Sequence, residues 1–179
     1  MRLTTKRLVL APFDPDRDWA EFVRDLVLDP VVSEHWSDFA DPGLTGSDKE
    51  RIAADELLPW FEAGRVQGFI VWTVREPDGT FVGTSGLMTP EPPVGGDAPE
   101  FGCLFATRSH GQGYATEAGR AVLDDAWSRL ELPRVITVLD SPNPASRRLV
   151  DKLGFAFERA VFDDAGTAYL VFGLDRPAR

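Results

Sequence analysis

Between an apolar run and a helical pattern, the chain reads Arg108-Ser109-His110-Gly111-Gln112-Gly113-Tyr114-Ala115-Thr116-Glu117. The apolar run at 101–106 predicts a strand, and apolar residues after the two glycines recur every three or four positions, which predicts a helix. The first turn of a helix carries unpaired N–H groups and the positive end of the helix dipole, so it attracts anions. Glycine lets an anion approach the backbone closely because it has no Cβ. This stretch therefore predicts an anion site, to which Arg108 and His110 can add positive charge.

Three phosphate-binding motifs share this shape. The P-loop of nucleoside triphosphatases needs lysine and then serine or threonine after its last glycine, where this chain has Tyr114-Ala115. The dinucleotide fingerprint needs glycine or alanine at the position of Thr116. The pattern that remains is Arg-x-x-Gly-x-Gly over 108–113. Taken alone, it is equally compatible with a tight strand-to-helix turn that binds nothing.

The composition limits the classes of protein to consider. A chain of 179 residues, 43% apolar and 27% charged, is consistent with one globular domain spanning 1–179. The net charge of −10 argues against a nucleic-acid partner, and it suits either a cationic acceptor or mere solubility. The longest apolar run, at 69–74, is too short to span a membrane, and without a recognisable signal peptide we expect a cytoplasmic protein. One cysteine, Cys103, and two histidines allow no internal disulfide, and we expect no metal site.

Local sequence signals predict where helices begin in the rest of the chain. Asp14-Pro15 predicts the start of a first helix, because aspartate caps a helix and proline suits its first turn. Residues 47–50 form the pattern of a capping box for a second helix, which Pro59 should bend or end. Two further helices are predicted from Gly113 and from Asn143.

Apolar runs bounded by turn residues predict the strands. They lie at 7–10, 69–74, 81–84, 101–106, 135–139, 155–162 and 167–174. Short connections predict antiparallel pairs, whereas the strand–helix–strand unit at 100–139 predicts one parallel crossover. The predicted fold is a single-domain α/β (α+β) protein with a mixed, mostly antiparallel seven-stranded sheet and about four helices.

Several separated segments together resemble the GNAT superfamily of acyl-CoA-dependent N-acyltransferases. Within it they are similar to the branch of ribosomal-protein N-acetyltransferases, the RimJ/RimL-like enzymes. The segments occur in the family's order and spacing across nearly the whole chain. They are Thr4-Thr5-Lys6-Arg7-Leu8-Val9-Leu10, Glu100-Phe101-Gly102-Cys103-Leu104-Phe105, Arg108 to Gly113, Tyr114-Ala115-Thr116-Glu117-Ala118, Asn143-Pro144-Ala145-Ser146, and Lys152-Leu153-Gly154-Phe155.

The resemblance implies acetyl-CoA as co-substrate, an amine as acceptor, and no metal. Backbone N–H groups from Gly111 to Thr116 would hold the pyrophosphate, and pantetheine would lie along the fourth strand. The residues expected at CoA are Phe105, Ala106, Arg108, His110, Gly111, Gln112, Gly113, Tyr114, Ala115, Thr116, Asn143 and Ser146. A homodimer would be in keeping with this branch, in which dimers are common, but the sequence does not decide the oligomeric state.

The resemblance also implies the chemistry: an amine attacks the thioester directly in a ternary complex. Glu100 stands where related enzymes place a carboxylate near the acceptor, directly or through a water, and its alternative role is that of a solvated carboxylate. Many superfamily members have a tyrosine as general acid where this chain has Val150, so Ser146 is the candidate that stabilises the departing thiolate. Asn143 also suits a helix N-cap, and Cys103 is typical of a small core residue rather than a nucleophile.

The acceptor is left open by the sequence. His35, Trp36, Phe39 and Trp60 lie in the region that shapes the acceptor pocket in this family, although aromatic residues are often plain packing. A protein N-terminus and a small-molecule amine both remain candidates, as does a longer acyl chain on CoA. A non-catalytic acyl-CoA sensor and a nucleotide-binding module are the competing classes.

Overall fold

The computed structural model describes residues 1–34, 36, 39, 41–139 and 143–178. In this part of the chain, the strands are β1 (Leu3–Thr4), β2 (Val9–Pro12), β3 (Val71–Arg75), β4 (Phe81–Met88), β5 (Glu100–Phe105), β6 (Arg134–Leu139), β7 (Ala156–Phe162) and β8 (Ala168–Asp175). The helices are α1 (Pro15–Phe22), α2 (Pro30–Ser33), α3 (Gly46–Ile52), α4 (Leu58–Val66), α5 (Tyr114–Ser128) and α6 (Pro144–Leu153).

These described strands form one sheet of eight strands in the order β1-β2-β3-β4-β5-β6-β8-β7. Neighbouring strands are antiparallel except β5 and β6, which are parallel. The mixed sheet and its one parallel crossover are therefore confirmed. The predicted count of seven strands is one too low, because the N-terminal segment makes a short hairpin. Its turn is closed by Thr5, whose hydroxyl accepts a hydrogen bond from the N–H of Leu8 at 3.0 Å, and the strand predicted at 7–10 lies instead at Val9–Pro12.

The helix starts follow local hydrogen bonding. Asp14 caps α1 as predicted, since its side chain accepts from the N–H of Asp16 at 3.1 Å. The cap of the second predicted helix lies two residues earlier than expected, because Thr45 and Asp48 form the capping box. The predicted cap at Ser47 is therefore wrong. A π-helical segment over Ala53–Leu57 joins α3 to α4, so the helical run continues past Pro59, which lies in the first turn of α4.

The sheet is covered on both faces. One face packs against α5 and α6, and its core includes Phe101 and Phe105 of β5. The other face packs against α1 to α4, and its core includes Met88 of β4 with Leu104 of β5 beside it. Successive side chains of β5 therefore point to opposite layers, as the alternation of a strand requires. No helix in the described ranges is long and apolar enough to cross a lipid bilayer.

The crossover places two helix N-termini together. Because β5 and β6 are parallel, their C-terminal ends lie at the same edge of the sheet, and α5 and α6 each begin just after one of these ends. The two helices pack side by side on one face: a Cβ added to Gly119 of α5 would lie 2.9 Å from a methyl carbon of Leu153 of α6. The edge where β5 and β6 end is therefore flanked by two positive helix dipole ends.

Candidate functional site

The strands β5 and β6 are paired at one end only. Within the described residues, their register consists of Glu100 opposite Ile136, supported by a bond from the Ile136 N–H to the Pro99 carbonyl at 2.9 Å. The Thr137 hydroxyl then donates to the Phe101 carbonyl at 2.9 Å. Beyond this point β5 continues to Phe105 without a ladder to β6, although it stays paired with β4 along its whole length. We call the stretch beyond this point, where β5 and β6 are not hydrogen-bonded to each other, the opening; it lies towards the helix N-termini.

The backbone of β5 alternates between its two neighbours. The Phe101 carbonyl faces β6, since it accepts from Thr137, whereas the Ala106 N–H faces β4 and donates to the Val82 carbonyl at 3.0 Å. By alternation, the main-chain groups of Cys103 and Phe105 face the opening. The backbone near Phe105 and Ala106 was expected to pair with pantetheine, and of these two residues Ala106 has its N–H already bonded within the sheet. Cys103 takes its place as a residue with main-chain groups directed at the opening.

The predicted anion turn leads directly from β5 into α5. A short 3₁₀ turn at Thr107–Ser109 follows the strand, and Gly111 and Gly113 have φ values of +75° and +79°. Such left-handed backbone strongly favours glycine. Gly113 is the N-cap of α5 and provides no side-chain cap, so the N–H groups of the first helical turn, at 114–116, point out of the helix without a side-chain partner. This is the geometry of an anion cradle.

The Arg108 and His110 side chains of this turn bond to other groups of the protein. The Arg108 guanidinium donates to Asp25 at 2.8 Å and to the Phe81 carbonyl at 2.7 Å. Hydrogen bonds from Arg24 and Arg108 lower the pKa of Asp25 to about 2, so this partner is charged near neutrality. His110 Nε2 lies 2.8 Å from the Phe105 carbonyl, and because a carbonyl only accepts, that nitrogen carries the hydrogen. Both side chains brace the turn through these contacts, and their contact with CoA stays a prediction.

The remaining predicted CoA residues take different positions. The Tyr114 ring is buried and its hydroxyl donates to Glu76, so of its polar groups only the backbone N–H lies at the cradle. The Gln112 side chain donates to the Arg108 carbonyl at 3.0 Å, which closes the turn internally. Asn143 is the N-cap of α6, accepting from the N–H groups of Ala145 and Ser146 at 3.0 Å each. The capping role considered for Asn143 is therefore present.

The two candidate catalytic residues approach the opening from different layers. Ser146 is half-buried in the first turn of α6, on the face shared with α5. Glu100 is half-buried at the start of β5 and lies directly opposite Met88 of β4. Opposite residues of paired strands share a face, so Glu100 lies on the face covered by α1 to α4. The opening therefore has two sides, one covered by α5 and α6 and the other covered by α1 to α4.

Cys103 points to the α5/α6 side and packs against its core. Burial raises the pKa of its thiol to about 12, so it is protonated at neutral pH and a poor nucleophile. This agrees with the prediction of a small core residue.

Of the aromatic residues expected near the acceptor, Phe39 packs in the core and Trp60 lies near the position opposite Glu100. Phe39 is buried and contacts Trp36 at 4.5 Å between ring centroids. Trp60 is half-buried, and its indole N–H donates to the Thr89 carbonyl at 2.8 Å, directly after Met88. Trp60 is thereby fixed near the position opposite Glu100. His35 lies outside the described residues.

Sequence reasoning missed one group of residues at the glycine turn. Glu117 lies in the first turn of α5, where a carboxylate complements the helix dipole, and it also accepts from the Thr5 hydroxyl at 2.6 Å and from the Arg7 N–H at 2.8 Å. The signal available was the Thr4 to Leu10 motif, which the resemblance includes without a role for Thr5 or Arg7. A groove of about 490 Å³ lies here, between the N-terminal hairpin and α5, and reaches Gly113. The described residues contain no cluster of three or more His, Cys, Asp and Glu side chains suited to a metal ion.

The sequence of this chain matches a known family model and a known relative over most of its length. The model of the acetyltransferase (GNAT) domain matches residues 7–156. The Bacillus subtilis protein YkkB, described as uncharacterized, is 29% identical over 162 residues, which are 89% of this chain and 88% of YkkB.

Solved structures of similar fold belong to the same family. A Bordetella pertussis protein assigned to the GnaT acetyltransferases superposes with a TM-score of 0.73 at 24% identity, covering 97% of this chain and 98% of that one. Mycobacterium smegmatis RimJ, solved with CoA-disulfide, gives a TM-score of 0.72 at 22% identity, covering 94% of this chain and 81% of RimJ. The structural neighbours thus include the ribosomal-protein branch that the motifs resemble. Since the family model spans most of the chain, this protein belongs to the GNAT family of acyl-CoA-dependent acetyltransferases.

Proposed function

We propose that the protein transfers an acetyl group from acetyl-CoA to a primary amine by direct attack in a ternary complex. The observation that carries this proposal is the opening between β5 and β6, which ends beside the uncapped N-terminus of α5. Acetyl-CoA would lie on the α5/α6 side with its pyrophosphate at the N–H groups of 114–116. The amine would approach from the side of α1 to α4.

Glu100 is the proposed general base. A lysine-like amine has a pKa of about 10.4 and an α-amino group a pKa of about 8, so either acceptor is largely protonated at neutral pH. Glu100 lies on the face proposed for the acceptor, opposite Met88. In this proposal its carboxylate takes the amine proton, directly or through a water, as the nitrogen attacks the thioester carbonyl carbon.

The departure of the CoA thiolate is assigned to the side of the opening that α5 and α6 cover. The new C–N bond produces an oxyanion, which a main-chain N–H of β5 at the opening, at Cys103 or Phe105, would stabilise. The C–S bond then breaks, and the Ser146 hydroxyl would donate a hydrogen bond to the departing CoA thiolate. Direct attack is favoured over an acyl-enzyme because the Cys103 thiol, with a pKa raised to about 12 by burial, is a poor nucleophile.

The test of the proposed function is a screen for CoA release. Purified protein is incubated with acetyl-CoA and a panel of amines that includes peptides with free N-termini, polyamines and small metabolites. We expect thermal stabilisation by CoA but not by ATP or NAD, and at least one amine that releases CoA faster than hydrolysis does. Stabilisation by CoA with no active amine would favour the acyl-CoA sensor, whereas stabilisation by ATP or NAD would favour a nucleotide-binding module.

Replacing Ser146 by alanine is expected to lower kcat about 10-fold while the Kd for acetyl-CoA changes little, because the thiolate charge develops only in the transition state. The measurement is single-turnover kinetics with an active acceptor. Ser128→Ala is the matched control, since Ser128 is also a helical serine and only bonds the Asp124 carbonyl of its own helix at 2.6 Å. Equal kcat values for the Ser146 variant and the wild type would mean that Ser146 has only a packing role.

A further inference from the structure

Arg7 connects the N-terminal hairpin to the glycine turn through several contacts. Its guanidinium donates from Nε to Glu117 Oε2 at 2.7 Å and from Nη1 to the Gln112 carbonyl at 2.9 Å. The guanidinium carbon also lies 4.7 Å from the centre of the Tyr114 ring. Arg7 thus touches both sides of Gly113, although the two segments are more than a hundred positions apart in the sequence.

The bond to Gln112 fixes the orientation of one peptide group. In a trans peptide the C=O of one residue and the N–H of the next point in opposite directions. Since the Gln112 carbonyl points at Arg7, the N–H of Gly113 points away from Arg7. That N–H belongs to the N-cap of α5 and lies beside the N–H groups of its first turn. Arg7 therefore holds one donor of the cradle in a fixed direction.

The positive charge of Arg7 is already matched. Glu117 is largely buried, with 18% of its side chain exposed. Burial alone would raise its pKa, but hydrogen bonds from Thr5 and Arg7 outweigh burial and lower the pKa of Glu117 below its usual range. Glu117 is consequently an anion that pairs with Arg7 at 2.7 Å. Because its charge is paired, Arg7 affects the orientation of the turn more than the net charge of the turn.

We infer that Arg7, held by Glu117, is a positioning residue for acyl-CoA that orients the Gln112–Gly113 peptide so that the turn can receive the pyrophosphate. This inference rests on the proposed function and assigns a role to a residue of the opening motif that the catalytic scheme does not use. It requires that the loss of Arg7 weaken the binding of every ligand carrying the pyrophosphate. It also requires that a positive charge at this position be insufficient.

The experiment measures the Kd values of CoA and 3′-dephospho-CoA by calorimetry, below the melting temperature of each variant. Arg7→Ala is expected to raise both Kd values by the same factor, about 10-fold, which corresponds to one well-placed hydrogen-bond network. Arg7→Lys is expected to lose most of the same affinity, because a single ammonium cannot reproduce the guanidinium fork. With an active acceptor, KM for acetyl-CoA should rise while kcat and the acceptor KM stay constant.

Arg129→Ala is the matched control. Arg129 lies at the other end of the same helix, pairs with a carboxylate of that helix through two bonds to Asp125 at 2.8 and 2.6 Å, and also faces a backbone carbonyl, that of Gly68. Its loss should lower stability comparably and leave both Kd values unchanged.

Several results would overturn the inference. A loss confined to CoA would mean that Arg7 binds the 3′-phosphate, and full affinity in Arg7→Lys would mean that its charge alone matters. Unchanged affinity in Arg7→Ala, or an equal loss in Arg129→Ala, would leave Arg7 a purely structural role. Failure of the wild type itself to bind CoA would instead overturn the proposed function.

Discussion

Replacing Gly113 by tryptophan is expected to weaken acetyl-CoA binding about 100-fold or more while the protein stays folded. A β-carbon at a φ of +79° costs roughly 1–2 kcal/mol of strain. A Cβ at this position would lie 3.6 Å from Nη2 of Arg7, so the indole would crowd the turn and displace its contacts, and each hydrogen bond to a phosphate lost there costs about 1.5–3 kcal/mol. A loss of about 3 kcal/mol corresponds to about 100-fold in Kd, which calorimetry measures directly.

Gly166→Trp separates the effect on binding from the effect on folding. Gly166 has a φ of +84°, lies in the turn between β7 and β8, and has open space around the position of a Cβ. It therefore carries similar backbone strain in a turn between two strands that β6 separates from β5 in the sheet. Wild-type affinity in the Gly113 variant would show that the cradle has been assigned to the wrong turn. Equal losses in both variants would trace the effect to stability.

Replacing Glu100 by glutamine is expected to reduce kcat/KM about 10²- to 10⁴-fold near neutral pH, the usual contribution of a general base. The substitution keeps the shape of the side chain and removes its charge. As pH rises towards the pKa of the acceptor amine, a growing fraction of the amine is already unprotonated and needs no base. Part of the lost activity should therefore return at high pH, as a pH–rate profile of both proteins would reveal.

The control for Glu100 is Asp97→Asn, which removes the same charge from an exposed position in the loop before β5. It should leave kcat/KM nearly unchanged at every pH. If the Glu100 variant loses equally at all pH values, the carboxylate positions or binds the amine instead of accepting its proton. If it loses nothing, the proton leaves by another route and the proposed base is wrong.

Most of the fold is predictable because strong local signals separate its elements. Asp14-Pro15 marks a helix start that depends only on neighbouring residues, and the structure has it there. The second helix start is mispredicted because two overlapping patterns, Thr45 with Asp48 and Ser47 with Glu50, both satisfy the capping-box rule. Only the positions of the surrounding residues decide that Thr45 is the cap. Local chemistry thus locates a helix to within a turn but does not choose between equivalent caps.

The anion cradle is predictable for the same reason, since two glycines and a following helix are neighbours in sequence. The partners of its side chains are not. Arg108 pairs with Asp25 and Arg7 pairs with Glu117, and each pair is separated by a large part of the chain. The sequence pattern therefore predicts that Arg108 contacts the ligand. In the structure Arg108 pairs with Asp25, and Arg7 is the arginine that bonds to the backbone of the turn.

The most direct test of the account is a titration of isotope-labelled wild-type protein with CoA, followed by backbone amide NMR. We expect saturable binding with the largest shift changes in two segments. These are the glycine turn, at Gly111, Gly113 and 114–116, and the open edge of β5, at Cys103 and Phe105. Saturable binding that leaves both segments unchanged, or the absence of any saturable binding, would contradict the assignment of acyl-CoA to the opening between β5 and β6.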